Sequence, residues 1–181
     1  AQVREHAAYA LGELGGAQWV GVLAQALARD PSSRVRLNAA EALGKMQARG
    51  VLEALLSGLE DPDVHVREAV VVALGRLGDA EAVAPLERVL ESAQASGADS
   101  LAERAWQTIL KLSAADRARL WRVAAERFRR GDHERAREAC NRLLEQFGSA
   151  ATAGEVWSAQ VLLGLIACER GDCDRAENLL G

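Results

Sequence analysis

The chain has 181 residues and a net charge of −4, with 26 acidic side chains interspersed among 22 basic ones, a balance that supports solubility and does not by itself point to nucleic acid. No run approaches the roughly twenty apolar residues of a membrane span, and the opening Ala1-Gln2-Val3-Arg4-Glu5-His6 lacks the basic and apolar regions of a signal peptide. Alanine and leucine dominate, only 4% of residues are aromatic, and no alternating β-branched run is long enough for a strand, so the chain is predicted to be all-α.

In chain order, the first predicted helix runs from Val3-Arg4 to Leu14-Gly15, and closely similar helices follow at Val35-Arg36 to Met46 and Val66-Arg67 to Leu77-Gly78. Leu11, Leu43 and Leu74 recur at intervals of 32 and 31 residues, a period that marks stacked repeats, each one helical pair burying its apolar face against its neighbours. Asp30-Pro31 and Asp61-Pro62 precede the second and third of these helices, and are predicted to start them as cap and first-turn proline. Glycines near 15–16, at 50 and at 78 are expected to end them. The partner helices are predicted at Trp19 to Ala28, Val51 to Leu59 and Val83 to Leu90, where Leu23/Leu27, Leu55/Leu59 and Leu86/Leu90 share a face at i, i+4.

The motif D-P-x-x-x-V-R-x-x-[AV]-x-x-A-L-G, at 30–44 and 61–75, resembles HEAT repeats, most closely the short subclass first described in phycobilisome lyases. The resemblance covers residues 1–112, with a truncated first unit and a degraded fourth around Ala105 to Leu112. There the interval from Leu74 to Ile109 grows to 35, and Ser96 to Ser100 replaces Asp-Pro, so a longer loop is expected. From residue 113 the vocabulary changes. Ala124 to Leu144 and Gly164 to Leu180 resemble tetratricopeptide repeats, with Gly131/Ala136 and Gly171/Ala176 in the turn and close-packing places, 40 residues apart. The surplus over that family's length falls at 148–154, and the last unit is truncated. Together the two resemblances imply a right-handed α-solenoid of stacked antiparallel helix pairs, divided into residues 1–112 and 113–181. Since the chain starts without Met inside one repeat and stops inside another, it is expected to be a piece of a longer protein.

In HEAT-like stacks the V-R helices line the concave face, and the resemblance places three ridges on it. One reads Glu13, Lys45, Arg76 and Lys111, the next Tyr9, Glu41, Val72 and Gln107, and the third His6, Asn38, Ala69 and Arg104. From them the candidate partner-binding residues are Asn38, Glu41, Lys45, Val72, Arg76, Arg104, Gln107 and Lys111. A mixed polar strip with a positive line suits an acidic peptide, a phosphorylated segment or a nucleic-acid backbone, against the plain alternative of a solvated face with pairs such as Glu41/Lys45. Arg4, Arg36 and Arg67 follow the same valine in each unit, and the resemblance implies a structural ladder to an acid or carbonyl of the adjoining repeat. In the tetratricopeptide-like part, Trp121, Phe128, Val161 and Leu165 form the candidate groove for a helix or extended peptide, against the alternative of packing between helices.

Nine arginines crowd residues 117–142, but Glu126, Asp132, Glu134 and Glu138 sit among them and Asp116 just before, so dedicated nucleic-acid binding is disfavoured. Arg130-Gly131-Asp132 and Arg170-Gly171-Asp172 read as inter-helix turns. Cys140, Cys168 and Cys173 lack C-x-x-C spacing, which fits neither a disulfide framework nor a zinc site and points to a reducing, cytoplasmic setting. No phosphate loop, nucleophile elbow, metal triad or cofactor motif is present. The expected function is therefore a non-catalytic scaffold of a larger bacterial protein that holds a protein or peptide partner and is not an enzyme. The lyase resemblance implies an alternative, a bilin-lyase-like chromophore helper, and a nucleic-acid-binding helical repeat is a further one.

Overall fold

The computed structural model describes residues 2–46, 48, 50–113, 116–147 and 153–169, and the described residues form helices and turns with no strand. The chain divides into two compact units, Ala1–Leu112 and Ser113–Gly181.

The first unit is an α-solenoid. Its V-R layer comprises α1 (Gln2–Leu14), α3 (Ser33–Lys45), α5 (Val64–Leu77) and α7 (Asp99–Ser113), and its partner layer α2 (Val20–Arg29), α4 (Val51–Gly58) and α6 (Val83–Ser96). Single 3₁₀ turns at Ala17–Trp19 and Ala80–Ala82 lead into α2 and α6. Helix α3 packs on α1 and α5, while α2 packs on α3 and α4. The core is the periodic apolar set: Val35, Ala39 and Leu43 of α3 and Val66, Val70 and Leu74 of α5 are at most 2% exposed, and Leu23, Leu27, Leu55, Leu86 and Leu90 close it from the other layer.

Within the V-R layer, glycine sets the spacing. A Cβ added to Gly12 would lie 2.7 Å from the Ala42 Cβ, and one added to Gly44 would lie 2.6 Å from that of Ala73. Each A-L-G motif therefore supplies half of two contacts: its glycine receives the next helix, and its alanine is received by the helix before. At the fourth unit the contact loosens, since a Cβ added to Gly75 would lie 3.2 Å from the Thr108 side chain.

Three expectations about helix ends are corrected. The Asp-Pro pairs do not start helices: α3 is capped at Ser32 and α5 at Asp63, two residues further on. The aspartates close Asx turns instead, with Asp30 Oδ1 accepting from the Ser32 amide and Asp61 Oδ1 from the Asp63 amide, each at 2.9 Å. Proline drives the preceding residue to extended geometry, and Asp30 has ψ 132°, so the helix waits for the turn to finish. Gly50 is left-handed (φ 84°) but precedes α4, since α3 already ends at Lys45. The long loop expected at the fourth unit is absent: α6 continues to Ser96, because Glu91 to Ala95 are helix-compatible and Ala93 is buried, and Gly97 (φ 70°) then ends it.

The arginine ladder is present. Arg4 Nε donates to Asp30 at 2.7 Å, and Arg36 grips Asp61 through two nitrogens at 2.7 and 2.9 Å while also donating to the Asp30 carbonyl at 3.0 Å. Arg67 meets the carbonyls of Asp61 and Pro62. Each Asp-Pro turn thus ties one repeat to the arginine of the repeat before.

These turns make stability depend on acid. The hydrogen bond from Arg4 holds the Asp30 carboxyl below the ordinary range, and that from the His65 amide does the same for Asp63. Carboxyls depressed by folding stabilise above their unfolded pKa of about 3.9, and lose that contribution as pH falls through the folded value. The melting temperature is therefore expected to hold from pH 7 to about 5 and to drop below about 4, and Asp63→Asn should flatten part of that drop in a melting series across pH.

In the second unit, α8 (Arg117–Arg129) and α9 (His133–Phe147) are joined by a turn at Gly131 (φ 76°), and α10 (Ala153–Glu169) packs on both. Ala136, Ala139 and Cys140 are fully buried.

Candidate functional site

The outer side of the V-R layer carries a hollow of about 330 Å³, bordered by Leu37 and Glu41 of α3, His65, Glu68, Ala69 and Val72 of α5, and Arg104 of α7. It brings together three of the candidate residues, Glu41, Val72 and Arg104. Leu37, Ala69 and Val72 make one side apolar, and the charge lies at the rim. The Glu68 carboxylate stands between a guanidinium and an imidazole, 3.7 Å from Arg104 Nε and 3.8 Å from His65 Nδ1. Both contacts are long, and Arg104 and His65 are 50% and 74% exposed, so the water-facing guanidinium retains donors for an anionic group.

The other candidates are placed differently. Asn38 donates from its amide to the Glu5 carbonyl at 3.1 Å, a contact between repeats. Lys45 is paired with Glu13, which pushes its ammonium pKa up, and lies over the Tyr9 ring at 5.3 Å. Gln107 bonds Glu103 on its own helix. Lys45, Arg76 and Lys111 all fall in the last turns of α3, α5 and α7. Cations there are favoured by the exposed carbonyl end of a helix, which accounts for the positive ridge without a ligand. His65, Glu68 and Leu37 were not among the predicted residues. A ridge follows one position per helix, whereas a hollow is lined from both flanks of the groove between ridges.

In the second unit, Trp121 and Phe128 of α8 and Val161 of α10 are half-buried, while Leu165 is 44% exposed. Phe128 meets the His133 ring edge-on with centroids 5.4 Å apart, so part of its surface is used in packing. The arginine run is largely paired within its own helices: Arg129 and Arg130 with Glu126, Arg135 with Asp132, and Arg137 with Glu134. That pairing offsets part of the positive field a nucleic-acid backbone requires. Cys140 is buried, which pushes its thiol pKa up to about 12. Arg170-Gly171-Asp172, Cys173 and Ala176 lie outside the described residues, as does most of the 148–154 segment. Among the described residues, no three His, Cys, Asp or Glu side chains converge on a metal position, and no helix is long and apolar enough to cross a membrane.

A solenoid of A-L-G helices tied by an Arg–Asp ladder, with a partly polar hollow on the V-R layer, defines a repeat-surface protein. The family model for HEAT repeats matches residues 1–61 and 20–107, more than half of the sequence, and the chain belongs to the HEAT-repeat family. It is similar to the bilin biosynthesis protein PecE of Nostoc sp., 38% identical over 109 residues, covering 56% of this chain and 43% of that protein. PecE of Mastigocladus laminosus is 36% identical over 109 residues, covering 56% of this chain and 40% of that protein. The phycocyanobilin lyase subunit alpha of Picosynechococcus sp. is 41% identical over 56 residues, 31% of this chain and 21% of that protein. The chain thus spans less than half the length of these relatives.

These relatives correct two expectations, that the chain is a non-catalytic interaction scaffold and that it is not an enzyme. The proteins sharing its sequence are named for a lyase and for bilin biosynthesis, which favours the alternative reading. The physical reason is that a repeat surface can hold and orient a reactive substrate without a compact catalytic motif, so the absence of such a motif was no evidence against an enzyme.

Proposed function

We propose that this chain is the HEAT-repeat part of a bilin-lyase-type enzyme and that the hollow on α3, α5 and α7 receives one end of an open-chain tetrapyrrole. The observation carrying this reading is the similarity to proteins named for bilin biosynthesis and phycocyanobilin ligation. The chemistry of the hollow agrees: a bilin offers flat apolar rings and anionic propionates, and the hollow offers Leu37, Ala69 and Val72 beside Arg104 and His65. In this reading Arg104 exchanges its loose contact with Glu68 for a propionate, and Glu41 borders the far rim. Asn38, Lys45, Arg76, Gln107 and Lys111 flank the site, and Asn38 and Lys45 tie its helices to the repeat before. A protein acceptor of the chromophore is the proposed partner, and the free thiol of Cys140 suits a cytoplasmic setting.

Residues 1–112 are proposed as the HEAT-like part, of the phycobilisome-lyase type, and 113–181 as tetratricopeptide-like. The latter is supported by the left-handed Gly131 and by Ala136, buried where α8 and α9 approach. Trp121, Phe128, Val161 and Leu165 are its proposed contact surface for the acceptor.

Titration of phycocyanobilin into the protein is expected to shift the visible absorption band. Arg104→Gln should raise the apparent Kd about tenfold, the equivalent of about 1.4 kcal/mol, with the melting temperature unchanged. Arg88→Gln, beside a separate hollow on the α4 and α6 layer, should leave binding unaltered. An absent shift, or equal responses to both substitutions, would overturn the reading.

A further inference from the structure

The partner-layer helices do not all close on one another in the same way. Where α2 meets α4, a glycine admits the neighbour: a Cβ added to Gly58 would lie 3.0 Å from the Leu27 side chain. One repeat later that glycine is gone. Leu55 and Leu86 hold the same repeat position, so Pro85 and Val89 of α6 stand where α4 has Ala54 and Gly58. The bulkier pair keeps α6 off α4, and a hollow of about 360 Å³ lies between them. Its floor is apolar: Leu56 and Pro85 are half-buried, and Leu59 and Val89 are 7% and 8% exposed. Its rim carries one charge of each sign, Glu60 just past α4 and Arg88 on α6, both exposed. Neither makes an ion pair or hydrogen bond among the described residues, whereas charges facing each other across the V-R layer do pair, Lys45 with Glu13 and Arg104 with Glu68.

We propose that this hollow is a docking site for a helix of a protein partner, one that carries a bulky apolar residue with an acid one turn to one side of it and a base one turn to the other. Charge complementarity specifies the occupant. The floor rewards burial of one aliphatic or aromatic anchor, and the free Arg88 and Glu60 call for an acid and a base beside it. Pro85 and Val89 lie one helical turn apart, which matches the spacing between an anchor and its i, i+4 neighbours on a partner helix. A purely apolar ligand would use the floor and leave both rim charges idle. The site is on the other layer from the hollow of α3, α5 and α7, and the proposal stands whether or not a bilin binds there.

The test uses the whole chain and three fluorescein-labelled helical peptides, each with a central Trp and a charged residue four positions to either side. One carries Glu and Lys, one Glu at both places and one Lys at both. Fluorescence anisotropy is expected to show the mixed peptide bound about fivefold tighter than either of the others, because only it pairs with both rim charges. Arg88→Glu should transfer the preference to the peptide with two Lys, and Glu60→Lys to the peptide with two Glu, with the melting temperature unchanged in both. A purely structural role would not redirect the preference. The proposal is overturned if no peptide binds at about 1 mM, if the three bind equally, or if the preference survives both charge reversals. Sedimentation showing a dimer of the unaltered chain that Arg88→Glu abolishes would also overturn it, since a second copy would then be the occupant.

Discussion

Arg36→Ala is expected to lower the unfolding free energy by about 3 kcal/mol, the lower end of the range for breaking a buried ion pair by removing one partner. The pair forms at 2.7 and 2.9 Å with the side chains of Arg36 and Asp61 only 13% and 6% exposed, so the truncation strands a carboxylate that water reaches poorly. It also removes the donor to the Asp30 carbonyl, so two consecutive Asp-Pro turns lose support at once. The residual exposure of Arg36 keeps the loss from the top of the range. Arg4→Ala makes the internal comparison. Its geometry toward Asp30 is similar but Arg4 is 53% exposed, so solvent screens the pair and the loss should be much smaller. Urea denaturation followed by helical circular dichroism separates the two, and equal losses would show that burial does not govern the ladder.

Gly44→Ala should also destabilise, against the ordinary trend of helix propensity. In an open helix the change gains about 1 kcal/mol, because glycine forfeits more backbone entropy on folding. Here the new methyl would lie 2.6 Å from the Ala73 Cβ and 2.7 Å from its Cα, and a backbone atom cannot rotate away. The helices would have to part, and overpacking of this kind costs about 1–3 kcal/mol, so the clash wins. Gly21→Ala on α2 reverses the sign. That glycine is exposed with nothing near its missing Cβ, and a gain approaching 1 kcal/mol is expected. If both substitutions stabilised, the close approach of α3 and α5 would be wrong.

The sequence was legible wherever one face of one helix sufficed. Periodic leucines at 23, 27, 55, 86 and 90 predicted the core because burial of a face follows from spacing alone. The arginine ladder was expected from the HEAT resemblance, which implied an acid or a carbonyl of the adjoining repeat as partner, and the structure supplies both. The helix starts were not legible. Asp-Pro has two uses, cap or Asx turn, and the choice was made by Arg36 and Arg67, which draw Asp61 into the repeat interface. Likewise the sequence aligned Lys45, Arg76 and Lys111 as one ridge, and the structure adds that each stands in the last turn of its helix, where the helix end itself favours a cation.

By itself the sequence determined the repeat length, the all-helical class and the buried face of the paired helices, because each follows from spacing within one unit and its translation along the chain. Only the tertiary structure decided that Glu68 stands between His65 and Arg104 and that these border a hollow with Leu37 and Val72. Those neighbours lie on different helices, and the offset of α7 against α5 is set by how closely Gly75 and Thr108 pack rather than by any period in the sequence.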